Sequence, residues 1–126
     1  NPELNISLLD ERFLVGDESI YRRMADKAPA FLASERQTLQ RRLCKLARSR
    51  WSGFHDTIYH LEPNIKETPG GVRDIHLIWW LNKLYDRSDG LSEVADARRF
   101  LYSLRCFLHY LSGRDNNLLS FDAQEE

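Results

Sequence analysis

One stretch of this chain decides its fold: Leu61-Glu62-Pro63-Asn64-Ile65-Lys66-Glu67-Thr68-Pro69-Gly70-Gly71-Val72-Arg73-Asp74-Ile75-His76. Its two prolines hold the backbone extended, and Pro69 leads into Gly70 and Gly71, where the chain can bend sharply. A long apolar run begins directly afterwards. The stretch is therefore predicted to be an ordered turn that delivers the chain into a helix.

The residues after the glycine pair have the spacing of a buried helix. Apolar side chains recur every three or four positions, at Val72, Ile75, Ile78, Trp79, Leu81, Leu84 and Tyr85. This periodicity predicts a central helix from Gly71 to about Asp86, with Arg73 and Asp74 in its first turn. A glycine pair at a helix N-terminus also leaves backbone N–H groups open for an anion, although plain turn chemistry explains the same pattern.

Upstream of this stretch the sequence predicts two helices. Asp17 is well placed as the N-cap of a helix that runs to about Lys27. Pro29 is expected to begin the next helix, which reaches about Trp51, because proline is tolerated in a first turn and breaks a helix interior. The interior face of this second helix is predicted to be Leu32, Leu39, Leu43, Leu46 and Ala47. Most of its remaining surface is basic: Arg36, Arg41, Arg42, Lys45, Arg48 and Arg50.

Downstream, the sequence predicts a turn and one more long helix. Ser88-Asp89-Gly90 is the turn, Ser92 or Glu93 opens the helix, and Gly113 is placed to end it. Its packing stripe is Val94, Ala97, Leu101, Leu104, Leu108 and Leu111, widened by Phe100 and Phe107. No apolar and polar alternation typical of a strand is present. The prediction is an all-α fold, a single helical-bundle domain over residues 1–126 with four to five helices and one long ordered loop.

Composition and charge argue against several classes of function. The 126 residues carry 18 basic and 19 acidic side chains, for a formal charge of -1, so no overall basic field attracts nucleic acid or anionic lipid. The chain has no apolar segment of membrane-spanning length and no signal-peptide pattern. Cys44 and Cys106 show neither metal-ligand spacing nor a disulfide framework. We therefore expect a cytoplasmic protein that binds neither nucleic acid nor membrane.

Two kinds of metal chemistry lack their residues in this sequence. His55-Asp56 resembles the metal-binding pair of HD-type phosphohydrolases, but His60, His76 and His109 have no regular relation to it. A nucleotidyltransferase site needs a Gly-Ser turn followed by closely spaced aspartates that hold Mg²⁺. Neither part is present. The sequence therefore predicts no metal site and no catalytic residue.

The stretch around the glycine pair resembles the signature of a known family. Residues 61–67 followed by residues 69–75 closely resemble a motif of the bacterial PII uridylyltransferase/uridylyl-removing enzymes. Residues 7–18 are similar to the beginning of that family's helical domain and residues 111–124 to its end, so the resemblance covers nearly all of the chain. Thr68, Val72 and His76 depart from it, since Gly, Leu and Gln are commoner there. Thr68 is expected to stiffen the loop.

The resemblance implies a helical domain of a larger enzyme, between a catalytic nucleotidyltransferase domain and a downstream uridylyl-removing HD domain. Such an enzyme transfers UMP from UTP to a tyrosine of the PII signal protein, with Mg²⁺, and reports glutamine status to nitrogen metabolism. The chain starts without Met and stops soon after a helix start at Asp122, which also suggests a fragment. This fragment is expected to be inactive alone, to hold no cofactor, and to have those two domains and PII as partners.

The candidate site is Lys66, Gly70, Gly71, Arg73 and Asp74, near the nucleotide phosphates or at a domain interface. Arg73 can present a bidentate fork to phosphate, and Lys66 can supply a point charge. Alternatively, Arg73 pairs with an acid such as Asp74 or Glu62 and locks the loop. The alternative function is a helical protein-interaction module with no nucleotide role, in which the glycine turn is only architectural.

Overall fold

The computed structural model describes residues 6–87 and 90–126. Its elements, in chain order, are a short 3-10 helix (Leu8–Asp10), α1 (Glu18–Ser34), α2 (Arg36–Ser52), α3 (Val72–Tyr85), α4 (Gly90–Glu93), α5 (Ala95–Ser112) and α6 (Phe121–Glu125). Within the described ranges, extended backbone pairs at a single antiparallel bridge, between Asn64 and Leu118. The predicted all-α fold is confirmed. The turn predicted at residues 88–90 falls partly on residues 88 and 89, which lie outside the described residues.

The helix α3 is the element on which the rest of the fold packs. It contacts α2, α4, α5 and the 3-10 helix, as expected for the predicted central helix. One buried cluster lies between the N-terminal segment, α2 and the end of α3: Ile6, Leu9, Leu39, Leu43 and Leu84. A second joins the loop before α3 to α5 and α6: Ile65, Leu108 and Ala123. The loop and both of its neighbouring helices therefore share the interior.

The first long helix continues through Pro29, so the prediction that Pro29 begins a new helix is wrong. Proline has no N–H to donate to the carbonyl four residues earlier, and α1 gives up one hydrogen bond there. The helix persists because its apolar side is held by packing, with Ala28 buried and Leu32 against the first cluster. The chain breaks later, at Glu35, which separates α1 from α2. Asp17 caps α1 as predicted, accepting a bond from the Ser19 N–H at 2.8 Å.

The interior face of α2 is narrower than predicted. Leu39, Leu43 and Ala47 are buried, but Leu46 is exposed. Leu46 lines a cleft of about 420 Å³ between α2 and α3, together with Trp80 and other residues. Its predicted place in the interior is wrong because α3 does not close over this side of α2.

The last long helix buries one side and exposes the other. α5 begins at Ala95, slightly later than expected, and ends at Gly113 as predicted, with φ of +63°. Leu108 is fully buried, whereas Phe100 and Phe107 are exposed. Each helical residue advances the side chain by about 100°, so Phe107 is turned a quarter of the circumference away from Leu108. The prediction that the two phenylalanines widen the packing stripe is wrong.

Both cysteines are free thiols, Cys44 half-buried and Cys106 exposed. No helix in the part of the chain that the structure describes combines the length and the apolar character needed to cross a membrane.

Candidate functional site

The loop between α2 and α3 is an ordered segment tied to the end of the chain. Its second half runs antiparallel to the connection between α5 and α6. The Ile65 N–H donates to the Asn117 carbonyl at 2.8 Å, and the Leu119 N–H donates to the Pro63 carbonyl at 3.0 Å. These bonds hold the loop against the element that precedes α6, so the turn before α3 has a fixed base.

Asn64 organises the turn that carries the candidate site. Its side-chain oxygen accepts bonds from the Lys66 and Glu67 N–H groups, both at 3.1 Å. Its carbonyl accepts the Thr68 N–H at 3.0 Å and the Thr68 hydroxyl at 2.7 Å. Thr68 is buried, and its hydroxyl adds a bond that glycine, the residue commoner in the resembled signature, cannot make. The expected stiffening of the loop by Thr68 thus has a structural basis.

The two glycines are required for different reasons. Gly70 has φ of +83° and open space around its α-carbon, so glycine is needed there for backbone conformation. Gly71 has an ordinary φ of -81°, but a Cβ at this position would lie 2.6 Å from the Ile65 carbonyl oxygen and 2.9 Å from that of Thr68. Gly71 is therefore needed for the close approach of α3 to the preceding turn.

The N–H groups at the start of α3 are already bonded inside the domain. Each bond joins a residue of the helix start to the turn or to the helix itself: Gly71 to the Thr68 carbonyl (2.9 Å), Val72 to Ile65 (2.9 Å), Arg73 to Lys66 (3.1 Å) and Asp74 to Gly71 (2.9 Å). The Gly70 N–H donates to the Asp74 carboxylate at 2.7 Å. The expectation of open N–H groups is wrong here, because the anion at this helix start is the side chain of Asp74.

Asp74 connects three elements through one carboxylate. The Arg50 guanidinium at the end of α2 donates to Oδ1. The Trp51 indole N–H lies 3.0 Å from Oδ1 and 3.2 Å from Oδ2. The side chains of Arg50 and Asp74 are each only 17% exposed, so solvent screens the pair weakly. Asp74 therefore fixes the glycine turn and the start of α3 against α2.

Arg73 does not form either of the internal pairs considered for it. Asp74 is held by Arg50, and Glu62 accepts the Phe121 N–H at 2.9 Å. Instead, Arg73 Nε lies 3.4 Å from Glu67 Oε1, with 42% of the arginine side chain exposed. Locking of the loop by an internal acid is thus found, but through Asp74 and Arg50 rather than through Arg73.

The ammonium of Lys66 has no ion-pair partner among residues 6–87 and 90–126. Beside it, the pKa of His76 is lowered by burial first and by the charge of Arg73 next, with Arg105 and Lys66 acting in the same direction and Asp10 opposing them. His76 Nε2 lies 2.9 Å from the Tyr102 hydroxyl. The side of the domain between α3 and α5 is thus locally electropositive, although the whole chain carries a formal charge of -1.

Three residues of this site were missed by reasoning from the sequence. Arg50 and Trp51 hold Asp74 from more than twenty positions away, and Arg105 adds charge beside His76 from α5. Arg50 was visible only as one of several basic residues on a helix. No spacing in the sequence connects these three residues to the glycine turn.

The described residues do not fit a metal ion. No three His, Cys, Asp or Glu side chains within residues 6–87 and 90–126 come together as ligands. His55 and Asp56 occupy consecutive left-handed positions, with φ of 57° and 53°, in the irregular segment after α2. A magnesium ion therefore has no set of ligands in this part of the chain.

Comparison with known proteins gives a consistent result. A family described as GlnD PII-uridylyltransferase matches residues 36–96 and 87–126. The bifunctional uridylyltransferase/uridylyl-removing enzyme of Methylococcus capsulatus is 35% identical over 95% of this chain and 15% of its own length. The protein of the same name from Nitrosococcus oceani is 37% identical over 94% of this chain and 15% of its own length. The chain thus spans about 15% of the length of these curated relatives. No solved structure matches it.

Proposed function

The chain belongs to the PII-uridylyltransferase family, and we propose that it serves as a non-catalytic helical domain of such an enzyme. In this role, the turn from Asn64 to Asp74 faces the catalytic nucleotidyltransferase domain and completes its site for nucleotide and protein substrate. The domain also links that catalytic domain to a downstream HD domain. The whole enzyme, in this proposal, transfers UMP from UTP to the PII signal protein in the cytoplasm.

The observation that carries this proposal is the division of labour within the turn. Asp74 holds the turn rigid through Arg50, Trp51 and the Gly70 N–H. This leaves the two cations of the turn, Lys66 and Arg73, free of the structural task. A fixed backbone that presents two cations reduces the entropy cost of binding a phosphate group.

Arg73 can exchange its internal partner for a phosphate at small cost. Its contact with Glu67 is 3.4 Å long, and the arginine is 42% exposed. Ion pairs of this kind contribute about 0–1 kcal/mol, whereas a charge-assisted bond from arginine to an anion contributes roughly 1.5–3 kcal/mol. The balance favours transfer of the guanidinium to a phosphate oxygen when a nucleotide is held nearby.

The carboxylates and the magnesium ion of the transfer reaction belong elsewhere in this proposal. The described residues bring no ligand set together, so the ion and the nucleophile's base are held by the catalytic domain. When bound there, magnesium neutralises charge on the triphosphate. Lys66 and Arg73 add positive charge on the side of the site that this domain covers. The chain alone is therefore expected to transfer no uridylyl group.

The test uses the Methylococcus capsulatus enzyme with its matching segment replaced by this chain, carrying Lys66→Ala or Arg73→Ala. Uridylyl transfer to PII is measured at sub-saturating UTP, and thermal unfolding is measured on the 126-residue chain with the same substitutions. We expect each variant to lose about ten-fold or more in transfer rate, with little change in Tm. Arg99→Ala is the matched control, because Arg99 is an exposed cation paired with Asp96 on α5.

Normal transfer rates in both variants would rule out a nucleotide role for these cations and favour the interaction-module alternative. A fall in transfer that follows a fall in Tm for Arg73→Ala would instead show that the residue acts through the stability of the domain.

A further inference from the structure

The first half of the long loop exposes large apolar side chains that its own fold does not use. Ile58 is 63% exposed, Tyr59 87% and Leu61 79%, and Phe121 at the start of α6 is 53% exposed. We call these four residues the loop surface. They lie at the opposite end of the loop from Lys66 and Arg73, so the proposed nucleotide role does not account for them.

The backbone pairing makes the loop surface continuous. Asn64 lies opposite Leu118 in the antiparallel bridge. Following the same register back along one segment and forward along the other places Leu61 opposite Phe121, where side chains are typically about 5 Å apart. The Gln124 side-chain amide donates to the Leu61 carbonyl at 2.9 Å and holds α6 in this position.

Local bonds hold the loop surface in one conformation. The Tyr59 N–H donates to the Thr57 hydroxyl at 3.1 Å, and His60 Nε2 lies 3.0 Å from the Thr57 carbonyl oxygen. The His60 ring packs edge-on against Phe54, with centroids 5.9 Å apart. A partner would therefore meet a preformed surface and would not have to order a flexible loop, which lowers the cost of binding.

The size of the loop surface is that of an interface centre. Side chains of this kind have about 200 Å² each when fully exposed, so the four together offer roughly 500 Å² of contact. The largest apolar patch on a typical monomer is about 300–600 Å² and is often functional. A stable interface covers about 800 Å² on each partner, so the loop surface would form most of its apolar centre.

We propose that the loop surface docks against another domain of the same polypeptide, one whose contact face is apolar at its centre and cationic at its edge. The proposal rests on the proposed function in one respect, that the chain works as part of a longer enzyme. The chain spans about 15% of the length of its relatives, so they carry ample further chain to cover this surface.

Charge determines the edge of the partner surface and argues against a second copy of this chain. The helix that carries Phe121 also bears Asp122, Glu125 and Glu126, all exposed. Glu125 is one helical turn from Phe121 and therefore lies beside it. Two copies meeting through this surface would bring acidic edges together, which costs free energy, whereas a cationic edge on a neighbouring domain would be attracted.

The experiment compares the isolated chain with the Methylococcus capsulatus enzyme that carries it in place of the matching segment. Hydroxyl-radical footprinting measures the modification rate of each tyrosine. In the isolated chain, Tyr59 and Tyr110 should react at similar rates, because they are 87% and 90% exposed. In the longer protein, we expect the rate at Tyr59 to fall at least five-fold, and an unchanged rate would overturn the proposal.

A matched pair of variants separates docking from a role within the fold. Tyr59→Ser should lower the Tm of the longer protein and leave the Tm of the isolated chain unchanged, and its effect should exceed that of Tyr110→Ser. If the longer protein does not fold, the isolated chain decides: a fall in its Tm with Tyr59→Ser as large as that with Leu108→Ala would overturn the proposal, and an unchanged Tm supports it.

The two proposals of this article fail separately. An unprotected Tyr59, in a protein whose transfer still depends on Lys66 and Arg73, would defeat the docking proposal alone. A protected Tyr59, in a protein whose transfer ignores both cations, would defeat the nucleotide role alone. A dimer of the isolated chain that Tyr59→Ser dissociates would show that a second copy is the occupant and would overturn the proposal as stated.

Discussion

The turn before α3 and the helix α5 are organised in opposite ways. The turn has no regular ladder of hydrogen bonds, yet Ile65, Thr68, Gly71 and Val72 are all buried and its N–H groups are bonded internally. The helix α5 is regular over eighteen residues, but Leu108 is its one fully buried side chain in the part of the chain that the structure describes. Several of its large apolar residues face solvent.

This difference shows that regular secondary structure and structural importance are separate properties. A helix satisfies its own backbone, so α5 can expose one side without leaving polar groups unpaired. The turn has no such internal ladder and reaches full satisfaction only through side chains from elsewhere, chiefly Asp74 and Asn64. Substitutions in the turn should therefore cost more than substitutions on the exposed side of α5.

The largest effect is expected for Asp74→Ala. The change leaves the Arg50 guanidinium, the Trp51 indole N–H and the Gly70 N–H without their acceptor, in a place where the charged pair is only 17% exposed. Breaking such a pair costs about 3–5 kcal/mol. Urea unfolding of the 126-residue chain measures it.

The matched control is Asp96→Ala on α5, where the pair with Arg99 is largely exposed and a change below about 1 kcal/mol is expected. Equal losses for the two variants would contradict the contrast between the turn and the helix.

The next effect separates the two glycines of the turn. Gly71→Ala places a Cβ 2.6 Å from a backbone oxygen and should cost about 2 kcal/mol through overpacking. Gly70→Ala introduces strain at φ of +83° and should cost about 1 kcal/mol. Asparagine tolerates left-handed backbone, so Gly70→Asn should recover part of the loss and Gly71→Asn none. Thermal unfolding of the four variants decides this, and equal recovery at both positions would show that the explanation is wrong.

A smaller effect is expected on the exposed side of α5. Phe107→Ser should change the free energy of unfolding by at most about 0.5 kcal/mol, as is usual for surface substitutions. Leu108→Ala, one residue further along, should cost about 2–5 kcal/mol because it empties a fully buried site. Urea unfolding of the isolated chain measures both. A large loss for Phe107→Ser would mean that this side of α5 is packed in solution.

The smallest effect concerns pH. Burial and the charge of Arg73 lower the pKa of His76 in the folded state, so between its folded pKa and an unfolded value near 6.5 the unfolded chain binds more protons. The free energy of unfolding should therefore fall as the pH drops through 6.5 and below. His76→Gln should reduce this slope. Urea unfolding at pH 7.5 and 5.5 tests it, and an unchanged slope in the variant would exclude His76 as the source.

Local patterns in the sequence were sufficient for much of the fold. The spacing of apolar residues predicted the central helix with Arg73 and Asp74 in its first turn, and Gly113 was correctly placed as a helix stop. The same reasoning failed at Pro29, where packing of the apolar side outweighed one lost hydrogen bond, and at Phe107, which has helical spacing but no element opposite to cover it.

The sequence by itself determined the helical architecture and the position of the rigid turn, because helix periodicity, proline and glycine act on residues close together in the chain. Only the tertiary structure decided which residues complete the turn. Asp74 is held by Arg50 and Trp51, and Glu62 bonds the start of α6. These partners are far apart in sequence, and their choice depends on the angle and depth at which whole helices pack, which no local pattern encodes.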